Sequence, residues 1–196
     1  MKRLVDVVIS VAGIIILCPV FIIVSILIKI DSSGPVFFRQ TRVGQFEKNF
    51  KINKFRTMVA DAKGNGTQLT IGKDKRITKW GSFLRKYKID EIPQLFNVLV
   101  GEMSIVGPRP EVPKYVQYYS DEDKKNIFTI RPGITDNSSI EFINENEMLA
   151  GVGDPEIYYT SIILPKKISA YRKYVEENSL LSDAVIMLKT VLKIFI

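Results

Sequence analysis

Arg85 to Glu111 reads Arg-Lys-Tyr-Lys-Ile-Asp-Glu-Ile-Pro-Gln-Leu-Phe-Asn-Val-Leu-Val-Gly-Glu-Met-Ser-Ile-Val-Gly-Pro-Arg-Pro-Glu. Asp90 suits a helix N-cap, because its carboxylate can accept from free amides of the first turn. Glu91 then falls where the positive end of the helix dipole favours an anion. Pro93 fits the same turn, which has no intrahelical partner for the N–H that proline lacks. Leu95, Phe96 and Leu99 recur at helical spacing and Gly101 supplies a stop. A short apolar strand, Met103 to Val106, leads into the rigid turn Gly107-Pro108-Arg109-Pro110. This pattern places two adjacent carboxylates at a helix start, with Arg85 before them and Arg109 on the next turn. Helix N-termini and arginine forks both suit phosphate groups. Taken alone, Asp90-Glu91 reads more simply as a cap followed by an acidic first turn.

The composition narrows the chemistry. At 196 residues the chain is expected to form one domain with a real core. It has no histidine, which excludes imidazole catalysis, and a single cysteine, Cys18, which excludes an internal disulfide and a cysteine-rich zinc site. Any metal would take oxygen ligands, as a hard cation such as Mg²⁺ does. Covalent catalysis would rest on Asp, Glu, Ser, Thr, Lys or Tyr. The net charge of +7 suits anionic partners such as phosphates, lipid head groups or nucleic acid.

From Val7 to Ile28 no residue is charged. As a helix this run would be roughly 33 Å long, close to the hydrocarbon thickness of a bilayer. A cleaved signal peptide fits poorly, because the run is too long and no small-x-small site follows. Pro19 near the middle would bend a helix at a cost of about 3 kcal/mol. Lys2 and Arg3 precede the run, and Lys29, Arg39 and Arg42 follow it. Positive flanks tend to stay on the cytoplasmic side, so two of them argue for a helix that enters and returns, bent at Cys18-Pro19. A straight anchor is the simpler alternative.

Further along, Asp31 to Pro35 is a turn cluster, and Val36-Phe37-Phe38 with Phe50-Lys51-Ile52 predict a hairpin around Arg42-Val43-Gly44. A basic band runs from Arg39 to Arg56, including Lys54, and continues through Lys73, Lys75, Arg76, Lys79, Arg85, Lys86 and Lys88. Such a band suits an anionic membrane surface and a diphosphate, although basic strands are also simply solvated faces. Asp61 to Asp74 reads as a surface loop and a candidate lid, followed by a helix around Trp80 to Lys86. Short helices are expected over Val112–Tyr119 and Asp121–Asn126, and longer ones over Pro165–Val175 and Leu180–Ile196. In the last, Leu181, Val185, Leu188, Leu192 and Phe195 recur at helical steps, with Lys189 and Lys193 placed to snorkel. That face fits a membrane interface or the core equally.

Arg85, Asp90-Glu91, the run Pro93 to Leu99 and Gly107-Pro108-Arg109-Pro110-Glu111 together resemble the bacterial sugar transferase family, the small monotopic phosphoglycosyl transferases. Phe38 to Gly44, Lys54 to Met58 and Arg131-Pro132-Gly133-Ile134-Thr135 resemble it too. The resemblance covers Met1 to Thr135 well and the remainder loosely. It implies an α+β fold, mostly helical: a re-entrant membrane helix over 1–30 broken at Cys18-Pro19, and a cytoplasmic catalytic part over 31–196 that forms one unit with it. A small hairpin and amphipathic interfacial helices complete the fold. Cys18 stands where the family carries serine, whose hydroxyl bonds a backbone carbonyl more strongly than a thiol does.

The implied activity is transfer of a sugar-1-phosphate from a UDP-sugar to polyprenyl (undecaprenyl) phosphate, with release of UMP. Asp90 would form an aspartyl-phosphosugar intermediate in a ping-pong scheme, near or on a Mg²⁺ ion. Glu91 would serve in the metal shell or in proton handling, and Lys54, Arg85, Arg109 and Arg131 would clamp phosphates. The expected location is the cytoplasmic face of the bacterial inner membrane, with membrane lipids and no nucleic acid as partners. The sequence does not specify the sugar or the oligomeric state. The competing reading is a membrane-anchored basic scaffold that binds anionic lipid or nucleic acid. After Thr135 many relatives continue with Gly-Trp and a polar run ending in Asn-Gly-Arg, whereas this chain has Asp136-Asn137-Ser138-Ser139-Ile140 and an acidic stretch.

Overall fold

In a computed structural model, residues 1–59, 69–72 and 74–195 are described. Most of the chain is helical, with two small sheets. Helix α1 runs from Lys2 to Asp31 with Pro19 inside it, and would be about 45 Å long if straight. It is the one helix among the described residues long and apolar enough to cross a membrane. Strands β1 (Phe37–Val43) and β2 (Asn49–Phe55) pair antiparallel, with Arg42 opposite Phe50 and Phe38 opposite Lys54. The predicted hairpin is therefore present, and longer than its sequence signal. Helix α2 (Lys79–Lys86) starts at Thr78, whose hydroxyl accepts from the Gly81 amide at 3.0 Å. Most of the expected Asp61–Asp74 loop, like Lys73, lies outside the described residues.

Helix α3 spans Gln94–Val100 and ends at Gly101, whose φ of 91° is left-handed and favours glycine. The expectation that Asp90 caps this helix does not hold. Lys88 takes a left-handed φ of 55°, turning the chain into a separate 3-10 turn over Ile89–Glu91, and Pro93 occupies the cap position of α3. The dyad therefore projects from a tight turn ahead of the helix. Strand β3 (Ser104–Val106) follows, then short helices α4 (Pro113–Val116) and α5 (Asp121–Ile127), the latter capped by Ser120.

Strand β4 (Gly133–Thr135) pairs parallel to β3, a partner not foreseen from sequence. Here two backbones nearly touch: a Cβ on Gly133 would sit 2.1 Å from the Gly107 nitrogen. The Gly133 amide donates to Pro108 O at 2.9 Å and Gly107 N to Thr135 O at 3.0 Å. The two proline-glycine motifs thus pair with each other. The acidic stretch forms α6 (Asn137–Glu141), α7 (Glu145–Ala150) and α8 (Pro155–Tyr158), followed by a π turn at Tyr159–Ile163. Asp136 and Asp154 cap α6 and α8 through amides at 2.7 to 3.2 Å. Helices α9 (Leu164–Glu177) and α10 (Leu180–Phe195) complete the chain.

Helix α1 packs antiparallel to α3 and is tied to the body at both ends. Arg3 donates to Val98 O at 2.5 Å and to Leu99 O at 2.9 Å, carbonyls of the last turn of α3, and Gly13 meets Leu95. Phe21 stands edge-on to Phe96 with ring centroids 5.5 Å apart. Near the start of α1, Lys2 pairs with Asp183 of α10, and buried Asp6 accepts from Ser104 and the Ile105 amide at 2.8 and 3.0 Å. At its end, Asp31 accepts the Trp80 amide at 2.9 Å, and Arg56 donates to the carbonyls of Ser32 and Ser33. Val24 and Ile28 join Phe55 and Leu84 in a small buried cluster.

The opposite face of α1 is bare, with Ile15, Ile16, Ile22, Ile23 and Ile26 exposed. Leu181, Val185, Leu188 and Leu192 of α10 are likewise exposed, while Ile186 and Asp183 turn inward. The choice between surface and core for that face of α10 thus falls on surface. A larger buried cluster among the described residues brings together Val43, Tyr115, Tyr119, Phe128, Leu149, Tyr159, Ile163 and Tyr171.

Candidate active site

Strand β2, helix α2, the 3-10 turn and the turn after β3 converge on Asp90 and Glu91. Asp90 is buried, 7% exposed, and its Oδ1 has no hydrogen-bond partner among the described residues. Glu91 is fully engaged. Its Oε1 accepts from Lys54 Nζ at 2.8 Å and from Arg109 Nη2, and its Oε2 accepts from Arg109 Nη1 at 3.1 Å. Arg109 also donates to Ile134 O at 3.3 Å, which ties the fork to β4. Arg85 reaches in from α2, with its Nε on the Thr57 hydroxyl at 2.9 Å.

Each charge feels the others. Burial pushes the Asp90 carboxyl above the usual aspartate range; Lys54 and Arg85 oppose that rise and the Glu91 charge adds to it. Burial acts on Glu91 in the same upward sense, but Arg109 and Lys54 outweigh it and hold that acid well below the ordinary range. Burial works against the positive charges of Lys54 and Arg85 and lowers both, with Glu91 and Asp90 as their respective main compensation. For Arg109, Glu91 more than offsets burial and the guanidinium is held more firmly than usual. Two adjacent carboxylates are thus driven in opposite directions, a pattern common where carboxylates take different chemical roles.

The left-handed Lys88 belongs to the same arrangement, acting on both acids while bending the chain that carries them. A non-glycine residue in that conformation costs about 1–3 kcal/mol, and such strain gathers at functional sites.

Of the residues expected to act together, Lys54, Arg85, Asp90, Glu91 and Arg109 meet. Arg131 does not join them: its Nε donates to Gly101 O at 2.8 Å, at the other end of α3. There it shares with Arg3 the closing of that helix's C-terminal carbonyls, where a cation is favoured. Cys18 is exposed on α1 and Pro19 follows it within the helix.

The donor set fits a magnesium ion held in part by substrate. Among the described residues no group of three or more His, Cys, Asp or Glu is gathered. Mg²⁺, however, commonly uses one or two carboxylates plus substrate phosphates. The orphaned Oδ1 of Asp90 is a buried acceptor in need of a positive partner. Glu91 has its oxygens already occupied by nitrogen donors, which makes it a counter-ion for Lys54 and Arg109 first.

The chain matches known proteins along its whole length. The model of the family described as bacterial sugar transferase matches residues 1–196. The UDP-N-acetylgalactosamine-undecaprenyl-phosphate N-acetylgalactosaminephosphotransferase of Aeromonas hydrophila is 35% identical over 97% of this chain, which spans 42% of that relative's length. The UDP-glucose:undecaprenyl-phosphate glucose-1-phosphate transferase of Escherichia coli K12 is 33% identical over 100% of this chain, which covers 40% of it. The exopolysaccharide production protein ExoY of Sinorhizobium fredii is 34% identical over 97% of the chain and 83% of its own length. With a match that runs from the first residue to the last and takes in both the Asp-Glu dyad and the Pro-Arg-Pro turn, this chain belongs to the bacterial sugar transferase family.

Proposed function

We propose that the chain transfers a sugar-1-phosphate from a UDP-sugar to a polyprenyl phosphate such as undecaprenyl phosphate. The observation that carries this reading is a buried carboxylate, Asp90, among Lys54, Arg85 and Lys88, next to a second carboxylate, Glu91, that holds Lys54 and Arg109 in place. A nucleotide sugar presents a diphosphate, and its cleavage needs charge neutralisation and a nucleophile in line. An Asp90 oxygen attacks the phosphorus that bears the sugar, and the P–O bond to the nucleotide breaks. The bond's electron pair leaves with UMP. A polyprenyl phosphate oxygen then attacks the aspartyl phosphorus, the lipid diphosphate sugar departs and the carboxylate is restored. Dividing one hard displacement into two is the usual gain from covalent catalysis.

The cations act before and during this exchange. Arg109 and Lys54, held together on Glu91 Oε1, can turn from that carboxylate to phosphate oxygens, and the arginine fork suits two of them at once. Arg85 keeps part of the negative charge of Asp90 compensated as the donor's own charges arrive. Asp90 would help hold a Mg²⁺ ion brought with the donor, and such an ion would add neutralisation between an anionic nucleophile and an anionic substrate.

The same reading places the chain at the inner membrane of a bacterium, with residues 31–196 on the cytoplasmic face and helix 1–30 in the bilayer. Both ends of α1 are bound to one body, which supports a helix that dips in and returns more than one that delivers its ends to opposite faces. The bare faces of α1 and α10 would then lie in or on the leaflet from which the lipid acceptor presents its head group. A screen of UDP-sugars with undecaprenyl phosphate and Mg²⁺, reading UMP, tests the proposal. Release that requires the lipid acceptor for turnover is expected; lipid-independent hydrolysis, or no release from any UDP-sugar, would overturn it.

A further inference from the structure

Behind Arg109 lies a second set of buried polar groups that the proposed chemistry does not use. Glu111, two residues on, is buried, and both of its oxygens are occupied. Oε1 accepts from Arg42 Nη1 at 3.4 Å and from the Val112 amide at 2.8 Å, while Oε2 accepts the Tyr159 hydroxyl at 2.6 Å. Arg42 extends the set, donating from Nη1 to Pro110 O at 3.1 Å and from Nη2 to Gln40 Oε1 at 2.9 Å. The Val43 amide donates to the Glu111 carbonyl at 2.9 Å.

These contacts join three distant parts of the chain: the hairpin, the Pro-Arg-Pro turn and the π turn before α9. Their position answers a weakness of that turn. In Pro108-Arg109-Pro110 two of three residues have no amide hydrogen, so the turn cannot be fixed through its own donors. It is held by its carbonyls instead, Pro108 through Gly133 N at 2.9 Å and Pro110 through Arg42. Burial is the main electrostatic cost at Arg42, the nearby Arg109 guanidinium adds to it, and Glu111 is the principal compensation. Apolar residues would fill such a space at no such cost.

We infer that Arg42, Glu111 and Tyr159 form a brace that positions the Arg109 fork, and that they act on turnover only through it. The inference rests on reading Arg109 as a phosphate clamp. It distinguishes these residues from an ordinary buried ion pair, whose removal would loosen the body generally. All three are positioning residues, since none touches the reacting atoms.

A double-mutant cycle on the full chain in detergent or nanodiscs tests this. Tyr159→Phe removes one hydroxyl and little volume. In the parent it should lower kcat/KM for the UDP-sugar about tenfold, the effect of one hydrogen bond to a charged acceptor. In the Arg109→Lys background, where the fork is already gone, the same substitution should cost less than about twofold. Glu111→Gln should follow the same pattern. Backbone hydrogen exchange supplies a readout independent of turnover: in Tyr159→Phe it should rise over residues 107–112 and stay unchanged over α5. Equal or absent losses in the two backgrounds, or faster exchange shared by α5, would overturn the brace. A chain that released no UMP would sink the transferase reading instead, and exchange alone would then decide the brace.

Discussion

Replacing Glu91 by glutamine isolates the electrostatic centre of the site. Glu91 is 12% exposed and is the shared acceptor of Lys54 and Arg109, so the substitution leaves two largely buried cations with one neutral carbonyl between them. Removing one member of a buried ion pair costs about 3–5 kcal/mol, and the retained carbonyl argues for the lower end. In a chain of this length about 2–4 °C of melting temperature corresponds to each kcal/mol, so the midpoint should fall by about 6–12 °C. The sign of the pH dependence follows from the depressed acid. Its contribution is present above the ordinary glutamate range and is lost as pH falls through the lower folded value, so the gap between parent and variant should be full at neutral pH and close in acid. Differential scanning fluorimetry in one detergent across pH reads both effects. Adding Arg109→Met to Glu91→Gln should recover part of the loss, because the cost lies in the unpaired cation. A single variant that melts within about 1 °C of the parent, or a double variant as unstable as the sum of its parts, would refute the reasoning.

Two further outcomes follow from Asp90. Its raised pKa places the acidic limb of the kcat/KM profile above the ordinary carboxylate range, and Lys54→Met, which removes an opposing cation, should move that limb to higher pH; a limb that stays put would separate it from Asp90. A carboxyl whose folded pKa is raised stabilises the fold below its unfolded value and loses that contribution as pH rises through the folded one. Asp90→Asn should therefore melt higher than the parent near pH 8 while losing activity, and an equal or lower midpoint would contradict the burial argument.

How far the sequence revealed this site depended on whether a residue's partners lie nearby in the chain. The dyad, the Pro-Arg-Pro turn, the hairpin, α2 and the last two helices all announce themselves through local spacing and turn chemistry. Local pattern also suggests Asp90 as a cap, and the structure departs from it because Lys88 adopts a backbone conformation that no periodicity signals. The motif around Arg131 suggests a phosphate clamp, yet the side chain lies against Gly101, 30 residues back in the chain, beside the non-local β3–β4 pairing. Helices α6 and α8 did carry a signal, since Asp136 and Asp154-Pro155 are good helix starts within an otherwise acidic run. Tyr159 carried none, because its partner Glu111 is 48 residues away and nothing in the local pattern marks either as buried.

The most direct measurement is intact and peptide mass spectrometry of the chain after brief exposure to a UDP-sugar and Mg²⁺ with lipid acceptor withheld. A mass increase of one sugar phosphate on the peptide containing Asp90, discharged when undecaprenyl phosphate is added and absent in Asp90→Asn, is the predicted result. UMP release without that adduct, or an adduct that persists in Asp90→Asn, would contradict the account.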